Sequence, residues 1–430
     1  MNGATIMFIV FFGLLLLNVP IAWSIGLSAT AYILLEGTLS LNYIATTMFT
    51  ACDSFPLMAI PLFILAGDLM QSGGLSKRLV SLADSLVGHF RGGLAIVTVL
   101  TCMFFGAISG SSAATVAAIG GIMVPSMIEM GYSKGFSYGL IAASGILGVL
   151  IPPSIPMVTY GVATSASIST MFIAGFGPGI LCGAFLITVA LFICRKRGYL
   201  GNGKQFSVKG VLIALKDAIW AIMVPVIILG GIYGGIFTPT EAAAVAVFYG
   251  FFVGFFVYKE LTVKKLLNGL SASAQTTSTI LVIVAAATVL ARMLTLERIP
   301  TAISNFITST TDQRVVVLLI INIILLIAGC VMDSTPAILI LSPILYPIAA
   351  KYGVDIIHFG MIVVLNTSIG FITPPVGLNL FVACSIGDIK FTTVVRNVLP
   401  FLFIMVLALI LVTYFPSVAL FLPRLFGYAG

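Results

Sequence analysis

Residues 106–161 read GAISGSSAATVAAIGGIMVPSMIEMGYSKGFSYGLIAASGILGVLIPPSIPMVTYG. The stretch is mostly apolar, but it contains a serine-glycine cluster at 109–112 and the proline pair Pro152-Pro153. Proline removes a backbone donor and glycine loosens a helix, so both features interrupt a membrane helix. An irregular backbone at membrane depth is tolerated only where it is buried in protein or lines a wet cavity. The stretch is therefore predicted to form a binding site from broken helices.

The other half of the chain contains a second set of helix-breaking proline, glycine and serine residues at matching positions. A shift of about 222 residues places Pro152-Pro153 on Pro374-Pro375, Gly148 on Gly370 and Ser112 on Ser334. Identity along this register is low, so the match rests on the breaks rather than on the apolar residues between them. Two broken-helix units in the two halves of a membrane chain are typical of a transporter.

The composition indicates an all-α polytopic membrane protein. Hydrophobic residues make up 60% of the 430 residues and charged residues 8%, and the mean hydropathy is +1.21. A soluble domain could not bury so much apolar surface. The six cysteines lie in or beside apolar runs without a CxxC pair, which favours buried free thiols over disulfides or a metal site.

Apolar runs of spanning length set the predicted topology. Two further runs, 93–127 and 314–349, have small polar residues at their middle and are predicted to be re-entrant hairpins. Amphipathic segments at 75–90 and 296–307 are predicted to lie at the membrane surface. The predicted spans are 4–18, 20–36, 55–73, 136–166 (broken), 171–194, 217–235, 239–258, 275–294, 358–388 (broken) and 397–416.

The distribution of basic residues predicts the orientation. With the N-terminus in the periplasm, 15 of the 20 Lys and Arg residues, Lys204 among them, fall in cytoplasmic loops, as the positive-inside rule requires. The net charge of +7 then reflects topology, and a nucleic-acid role is excluded. Five spans per half make residues 1–200 and 217–430 two inverted repeats, joined by a cytoplasmic linker at 201–216, whose hairpin tips meet near the midplane.

Several motifs resemble the large membrane subunit of tripartite ATP-independent periplasmic (TRAP) transporters. They are GAISGSSAAT, SGILGVLIPPSIPM, MDSTPA and NTSIGFITPPVGLNLF, and the resemblance extends from Asn18 near the start to about Pro400. The resemblance implies an elevator-type secondary transporter of the bacterial inner membrane, driven by a Na+ gradient. It also implies two partners, a small four-helix membrane subunit and a periplasmic substrate-binding protein. No enzymatic activity is expected.

Two or more Na+ sites are expected at the breaks, because Na+ prefers oxygen ligands and unwound carbonyls with Ser, Thr and Asn side chains supply them. The alternative is that small residues at these positions serve only close helix packing. By resemblance the first site comprises Ser109, Gly110, Ser112, Ala113, Ser144, Gly145, Gly148 and Pro152. The second comprises Cys330, Met332, Asp333, Ser334, Thr335, Asn366, Thr367, Gly370 and Pro374.

Asp333 is the sharpest single candidate, because a carboxylate deep in a membrane is costly and usually functional. It is interpreted as a substrate hydroxyl or amine acceptor or as part of a cation site, with an N-cap of the second hairpin arm as the structural alternative. Contacts to a carboxylate of the substrate are expected from Ser111, Ser112, Ser154 and Asn379, since helix ends there offer free N–H groups.

The substrate and the class of function have several alternatives. The expected substrate is an organic acid anion, with sialic acid (N-acetylneuraminate) first and a C4-dicarboxylate or another carboxylate as alternatives. A carrier working alone, either a Na+/carboxylate symporter or a proton-coupled antiporter, is the rival within transport. An intramembrane enzyme would need clustered acidic and histidine residues, and the two histidines, His89 and His358, fall on opposite sides of the predicted membrane.

Overall fold

The computed structural model describes residues 3–17, 19–37, 39–203 and 205–430. The predictions that involve Asn18 and Lys204 lie outside these ranges. Every regular element in the described part of the chain is helical, as the composition predicts. A 3-10 turn at Phe55–Met58 leads into α4, and a π-helical segment at Val253–Val257 extends α13.

The first half contains eleven helices within the described ranges. They are α1 (Gly3–Leu16), α2 (Ile21–Glu36), α3 (Asn42–Cys52), α4 (Ala59–Ser72), α5 (Leu75–Val87), α6 (Gly93–Ser109), α7 (Ser112–Glu129), α8 (Lys134–Ser144), α9 (Leu147–Leu150), α10 (Ile155–Thr164) and α11 (Ile168–Arg197).

The second half, counted over the same described ranges, contains ten. They are α12 (Val208–Tyr233), α13 (Pro239–Phe252), α14 (Val263–Leu296), α15 (Ile299–Thr310), α16 (Arg314–Val331), α17 (Ser334–Lys351), α18 (Ile356–Gly370), α19 (Leu378–Ile386), α20 (Phe391–Tyr414) and α21 (Ser417–Leu425).

Helix ends differ from the predicted spans where polar residues extend an apolar core. Helix α12 starts at Val208 because Ser207 caps it by accepting from the amide of Gly210 at 3.2 Å, so half of the predicted linker 201–216 is helical. Thr262 caps α14 in the same way and makes it 34 residues long. Hydropathy detects only the apolar part of such helices, and it did not predict α3 at all.

Nine helices in the described ranges are long and apolar enough to cross a membrane, or ten if the bent pair α8–α10 counts as one span. Three of the nine, α7, α16 and α17, are arms of the two predicted hairpins. Their length and composition therefore fit full spans as well as re-entrant helices. The two amphipathic segments form helices, α5 and α15, and their location at the membrane surface stays a prediction.

The helices pack into two groups. Helices α1–α4 and α12–α14 contact one another and form what we call the scaffold group. Helices α6–α11 and α16–α20 form the hairpin group, which contains both hairpins and both broken helices. The amphipathic helices α5 and α15 each contact both groups. The groups meet mainly where α14 packs on α17 and α4 packs on α6.

Both broken helices are interrupted at the proline pairs, as the sequence predicts. In the first half, α8 to α10 bend by 45° around residues 151–154. In the second half, residues 371–377 separate α18 from α19. The peptide bonds Pro152-Pro153 and Pro374-Pro375 are both cis. The two halves thus share a hairpin followed by a helix broken at a proline pair.

Candidate substrate cavity at the hairpin tips

A cavity of about 380 Å³ lies between the two helix groups, which is within the usual range for small-molecule sites. Both hairpin tips contribute to it, as expected from the sequence. The hairpin group supplies Ser109–Ala114, Val149, Ile155, Pro156, Asp333–Thr335, Phe371 and Leu378, and the scaffold group supplies Ile64, Gly67, Asp68, Ala272, Thr276 and Ile280.

The two tips have matching backbone roles but different chemistry. Ser111 is the N-cap of α7 and accepts from the amide of Ala114 at 3.4 Å. Asp333, its counterpart, is the N-cap of α17 and accepts from the amide of Ser334 at 2.7 Å. Asp333 is therefore an N-cap of the second hairpin arm, which was its structural alternative, and it also lines the cavity. Capping leaves it available to a ligand, because one carboxylate accepts several hydrogen bonds.

Asp68 is a cavity residue that the sequence analysis missed. It lies on α4, is half-buried, and accepts a hydrogen bond from the hydroxyl of Ser273 on α14 at 2.5 Å. Asp333 was selected because an acidic residue inside a membrane segment is usually functional. The same rule applies to Asp68, which lies within the predicted span 55–73. Its carboxylate faces the cavity from the scaffold group, whereas that of Asp333 comes from the hairpin group.

The cavity has an acidic lining. Asp68 and Asp333 are its charged residues, and none of the described residues that line it is Lys, Arg or His. An anion bound here would gain no cationic side chain from the wall. Its charge would have to be balanced by helix N-termini and by a cation that accompanies it.

Behind the cavity, the breaks pack tightly against the hairpins. A Cβ on Gly148 would lie 2.7 Å from the carbonyl oxygen of Ser111, and one on Gly370 would lie 2.6 Å from the Cα of Gly329. Real Cβ atoms essentially never approach other atoms so closely. Close packing, the alternative reading of these small residues, therefore accounts for both glycines, and it also brings each hairpin tip onto its broken helix.

Unpaired oxygens mark the same two breaks. The hydroxyl of Ser144 and the side-chain carbonyl of Asn366 are fully buried and have no hydrogen-bond partner in the described part of the chain. The two residues are 222 positions apart, which is the register of the repeat. A buried polar atom without a partner is costly. Oxygens in this state suit a hard cation such as Na+, so these residues fit the expected ion.

A short polar network holds Asn366. Its Nδ2 donates to Oδ1 of Asn322 on α16 at 2.7 Å, and Nδ2 of Asn322 donates to the hydroxyl of Thr413 on α20 at 3.1 Å. All three side chains are buried. Because its Nδ2 is engaged, the free end of the Asn366 amide is the carbonyl oxygen. Among the described residues, no cluster of three His, Cys, Asp or Glu side chains could hold a metal ion.

The remaining predicted residues lie behind the lining. Ser154 and Asn379 are fully buried and are not among the described residues that line the cavity. The hydroxyl of Ser154 is another of the buried oxygens without a partner in the described part of the chain, whereas Asn379 is hydrogen-bonded to Ser112. Gly145, Pro152 and Pro374 lie at the breaks, Cys330 and Met332 lie at the end of α16, and Thr367 lies in the last turn of α18.

Comparison with known proteins identifies the family. A family model described as the DctM component of the tripartite ATP-independent periplasmic transporter matches residues 8–418. The isethionate TRAP transporter permease protein DctMQ of Oleidesulfovibrio alaskensis is 47% identical over 407 residues, which are 95% of this chain. Those residues are 64% of DctMQ, so this chain spans slightly under two thirds of that relative's length.

Other relatives match along nearly their whole length. The C4-dicarboxylate TRAP transporter large permease protein DctM of Pseudomonas aeruginosa is 45% identical over 404 residues, covering 94% of each chain. The sialic acid TRAP transporter large permease protein SiaM of Vibrio cholerae is 40% identical over 417 residues, covering 97% of each.

Solved structures support the fold alone. The YdaH transporter of Alcanivorax borkumensis superimposes with a TM-score of 0.60 at 14% identity, covering 88% of this chain and 89% of that one. The family model and the relatives of 40% identity or more determine the family, and the all-helical fold agrees with it. The chain is a multi-pass membrane protein that belongs to the TRAP transporter family, as its large, DctM-type permease component.

Proposed function

We propose that this permease imports an organic acid anion by Na+ symport, and that the anion is delivered by a periplasmic binding protein. A small four-helix membrane subunit completes the complex in the bacterial inner membrane. One observation carries the proposal: two hairpin tips, one from each half, converge on a cavity lined by two carboxylates and no described cationic side chain. Such a cavity accepts an anion only together with cations.

Bound Na+ would supply that positive charge. In the first half the tip residues Ser109–Ala113 and the break residues Ser144, Gly145, Gly148 and Pro152 would surround one ion. In the second half Cys330 and Met332–Thr335 would surround another, with Asn366, Thr367, Gly370 and Pro374. The unpaired buried oxygens of Ser144 and Asn366 support this pairing of sites, because each would gain the partner that it lacks.

The two helix groups support the proposal of an elevator mechanism. The hairpin group holds both tips and both breaks, and the scaffold group supplies the opposite wall with Asp68. Inverted halves would let the hairpin group carry the cavity from one side of the membrane to the other. Helices α5 and α15 contact both groups, so they would connect the moving part to the fixed part. The positive-inside distribution supports a periplasmic N-terminus.

The acidic lining favours substrates with a single negative charge. Two Na+ ions would balance no more than the two carboxylates of Asp68 and Asp333, so each further negative charge on the substrate would add an unbalanced charge to the cavity. Sialic acid, the first expectation from the sequence, is a monoanion with many hydroxyls, and isethionate, the substrate named for the 47% identical relative, is a hydroxylated monoanion. A C4-dicarboxylate, named for other relatives, remains the alternative.

Reconstitution tests the proposal. The permease is placed in proteoliposomes with its small subunit, and uptake of labelled sialic acid, isethionate and a C4-dicarboxylate is measured with and without the binding protein. We expect uptake of a monoanion that needs an inward Na+ gradient and the binding protein. Ser144→Ala and Asn366→Leu, each removing one unpaired oxygen, should raise the Na+ concentration for half-maximal uptake.

Each rival gives a different result in the same assay. Efficient uptake without any binding protein would favour a stand-alone Na+/carboxylate symporter. Uptake driven by a pH gradient with no response to Na+ would favour a proton-coupled antiporter. Either outcome would overturn the proposed mechanism.

A further inference from the structure

Asn379 joins the two halves of the molecule at their ion-site candidates. It is the second residue of α19, directly after the break in the second half, and it is fully buried. Its amide reaches into the first half: the hydroxyl of Ser112, on the first hairpin tip, lies 3.0 Å from Oδ1 and 2.8 Å from Nδ2. Nδ2 also donates to the carbonyl of Ala142 on α8 at 2.9 Å.

The contact with Ala142 stabilises the break in the first half. The amide of Ile146 donates to the carbonyl of Ala143 at 3.3 Å, one residue short of the α-helical pattern, so the carbonyl of Ala142 loses its usual partner. The side chain of Asn379 takes that place. Ser144, with its unpaired hydroxyl, follows two residues later, and a Cβ on Gly145 would lie 3.0 Å from Nδ2 of Asn379.

The backbone of the same residue closes the break in its own half. The amide of Asn379 donates to the carbonyl of Phe371 at 3.0 Å, which spans the unwound residues after α18. One residue therefore contacts the hairpin tip and the break of the first half while it fixes the break of the second half. Its counterpart in the repeat register is Met157, which offers no such hydrogen bonds. The hydrogen bonds that connect the two halves here therefore come from the second half only.

We propose that Asn379 is a positioning residue that couples the two candidate Na+ sites. Shifting the break at 371–377 moves Asn379, which displaces Ser112 and the carbonyl of Ala142, so occupation of one site changes the affinity of the other. Such coupling is reciprocal by thermodynamic linkage. The inference rests on the proposed Na+ symport, and it gives Asn379 a role other than the substrate contact expected from the sequence.

A Na+ titration without transport tests the coupling. The purified large and small subunits are titrated with Na+ in detergent at constant temperature, and Na+ binding is followed by isothermal titration calorimetry. Wild type should give a sigmoidal rise with a Hill coefficient above 1. Asn379→Leu, close in volume but unable to hydrogen-bond, should lower the coefficient to about 1 and raise the half-saturating Na+ concentration. Met157→Leu, a volume-conserving change at the counterpart position, should behave as wild type.

Two further measurements separate coupling from other roles. At saturating Na+, the KM for substrate should change less than about twofold in Asn379→Leu, because the residue does not line the cavity. In a double-mutant cycle read on the Hill coefficient, Ser112→Ala should add little to Asn379→Leu, since both remove the same link. The loss of the Ser112 hydroxyl from the first ion site should instead appear in the half-saturating Na+ concentration. If Asn379→Leu does not yield a folded complex, Asn379→Ala removes the same amide and leaves room for a water.

The outcomes distinguish this inference from the proposed function. A wild-type Hill coefficient retained in both Asn379 variants would overturn the coupling, as would a raised substrate KM with an unchanged Na+ curve, which is the signature of a substrate contact. Absence of any Na+ effect on the wild-type complex would instead overturn Na+ symport itself.

Discussion

Replacing Gly370 by alanine tests whether the second ion-site candidate depends on backbone contact between α16 and α18. The new Cβ would lie 2.6 Å from the Cα of Gly329, and ordinary contact begins at 3.4 Å. The carbonyl group of Gly329 lies closer still, so the two backbones must separate by more than about 0.8 Å, since none of the contacting atoms belongs to a flexible side chain. Overpacking of this kind costs about 1–3 kcal/mol.

The displacement acts on the ion site directly. Asn366 lies one helical turn before Gly370 and is held by Asn322 on α16 at 2.7 Å, so moving the two helices apart stretches that hydrogen bond. We expect Gly370→Ala to lower the melting temperature of the detergent-solubilised complex and to reduce Na+-driven uptake at least tenfold, roughly the effect of a loss of about 1.4 kcal/mol.

Gly121→Ala is the matched control. Gly121 also lies in a helix of the hairpin group, but a Cβ there would meet nothing within 4 Å. Alanine should raise helix stability by up to about 1 kcal/mol and leave uptake unchanged. If Gly370→Ala melts and transports like wild type while Gly121→Ala behaves as expected, the backbone contact is not needed and the reasoning fails.

Three further predictions concern the charges and the topology. Asp333→Ala should abolish Na+-driven uptake in proteoliposomes while the complex still elutes as a folded particle; normal uptake would exclude Asp333 from the site. Asp68→Asn should weaken the Na+ dependence of uptake, because the scaffold wall of the cavity loses its charge, whereas Ser273→Ala, which keeps that charge, should change it less; equal effects would point to the hydrogen bond alone. Green fluorescent protein fused after Gly201 should fluoresce and alkaline phosphatase fused after Gly430 should be active, since these points are expected in the cytoplasm and periplasm; the reverse pattern would invert the topology.

The sequence alone predicted the features that depend on helix-breaking residues. Proline pairs 222 residues apart predicted both breaks, and the polar tips at Ser109–Ala113 and Asp333 predicted the residues that meet at one cavity. These predictions succeed because Pro and Gly act on the local backbone. They require no knowledge of which helices pack together.

The places that Asp68 and Asn379 take in the site depend on pairing between distant helices. Asp68 faces the cavity because α4 packs on α14, which brings it to Ser273, 205 residues away. Asn379 turns toward Ser112, 267 residues away, rather than toward the cavity. The early starts of α12 and α14 were missed for a simpler reason, because a hydropathy window follows the membrane interior and not the polar turns beyond it.

The unlike N-caps of the two hairpins make the cavity electrically directional. Helices α7 and α17 both present their N-termini to it, and each helix N-terminus carries roughly half a positive charge. At α17 the carboxylate of Asp333 reverses that charge, whereas at α7 the neutral Ser111 leaves it in place. An elongated anion would therefore lie with its acidic group at the first tip and its hydroxyls at the second. Head and tail of the substrate would not be interchangeable, so the substrate would enter the cavity in one orientation only.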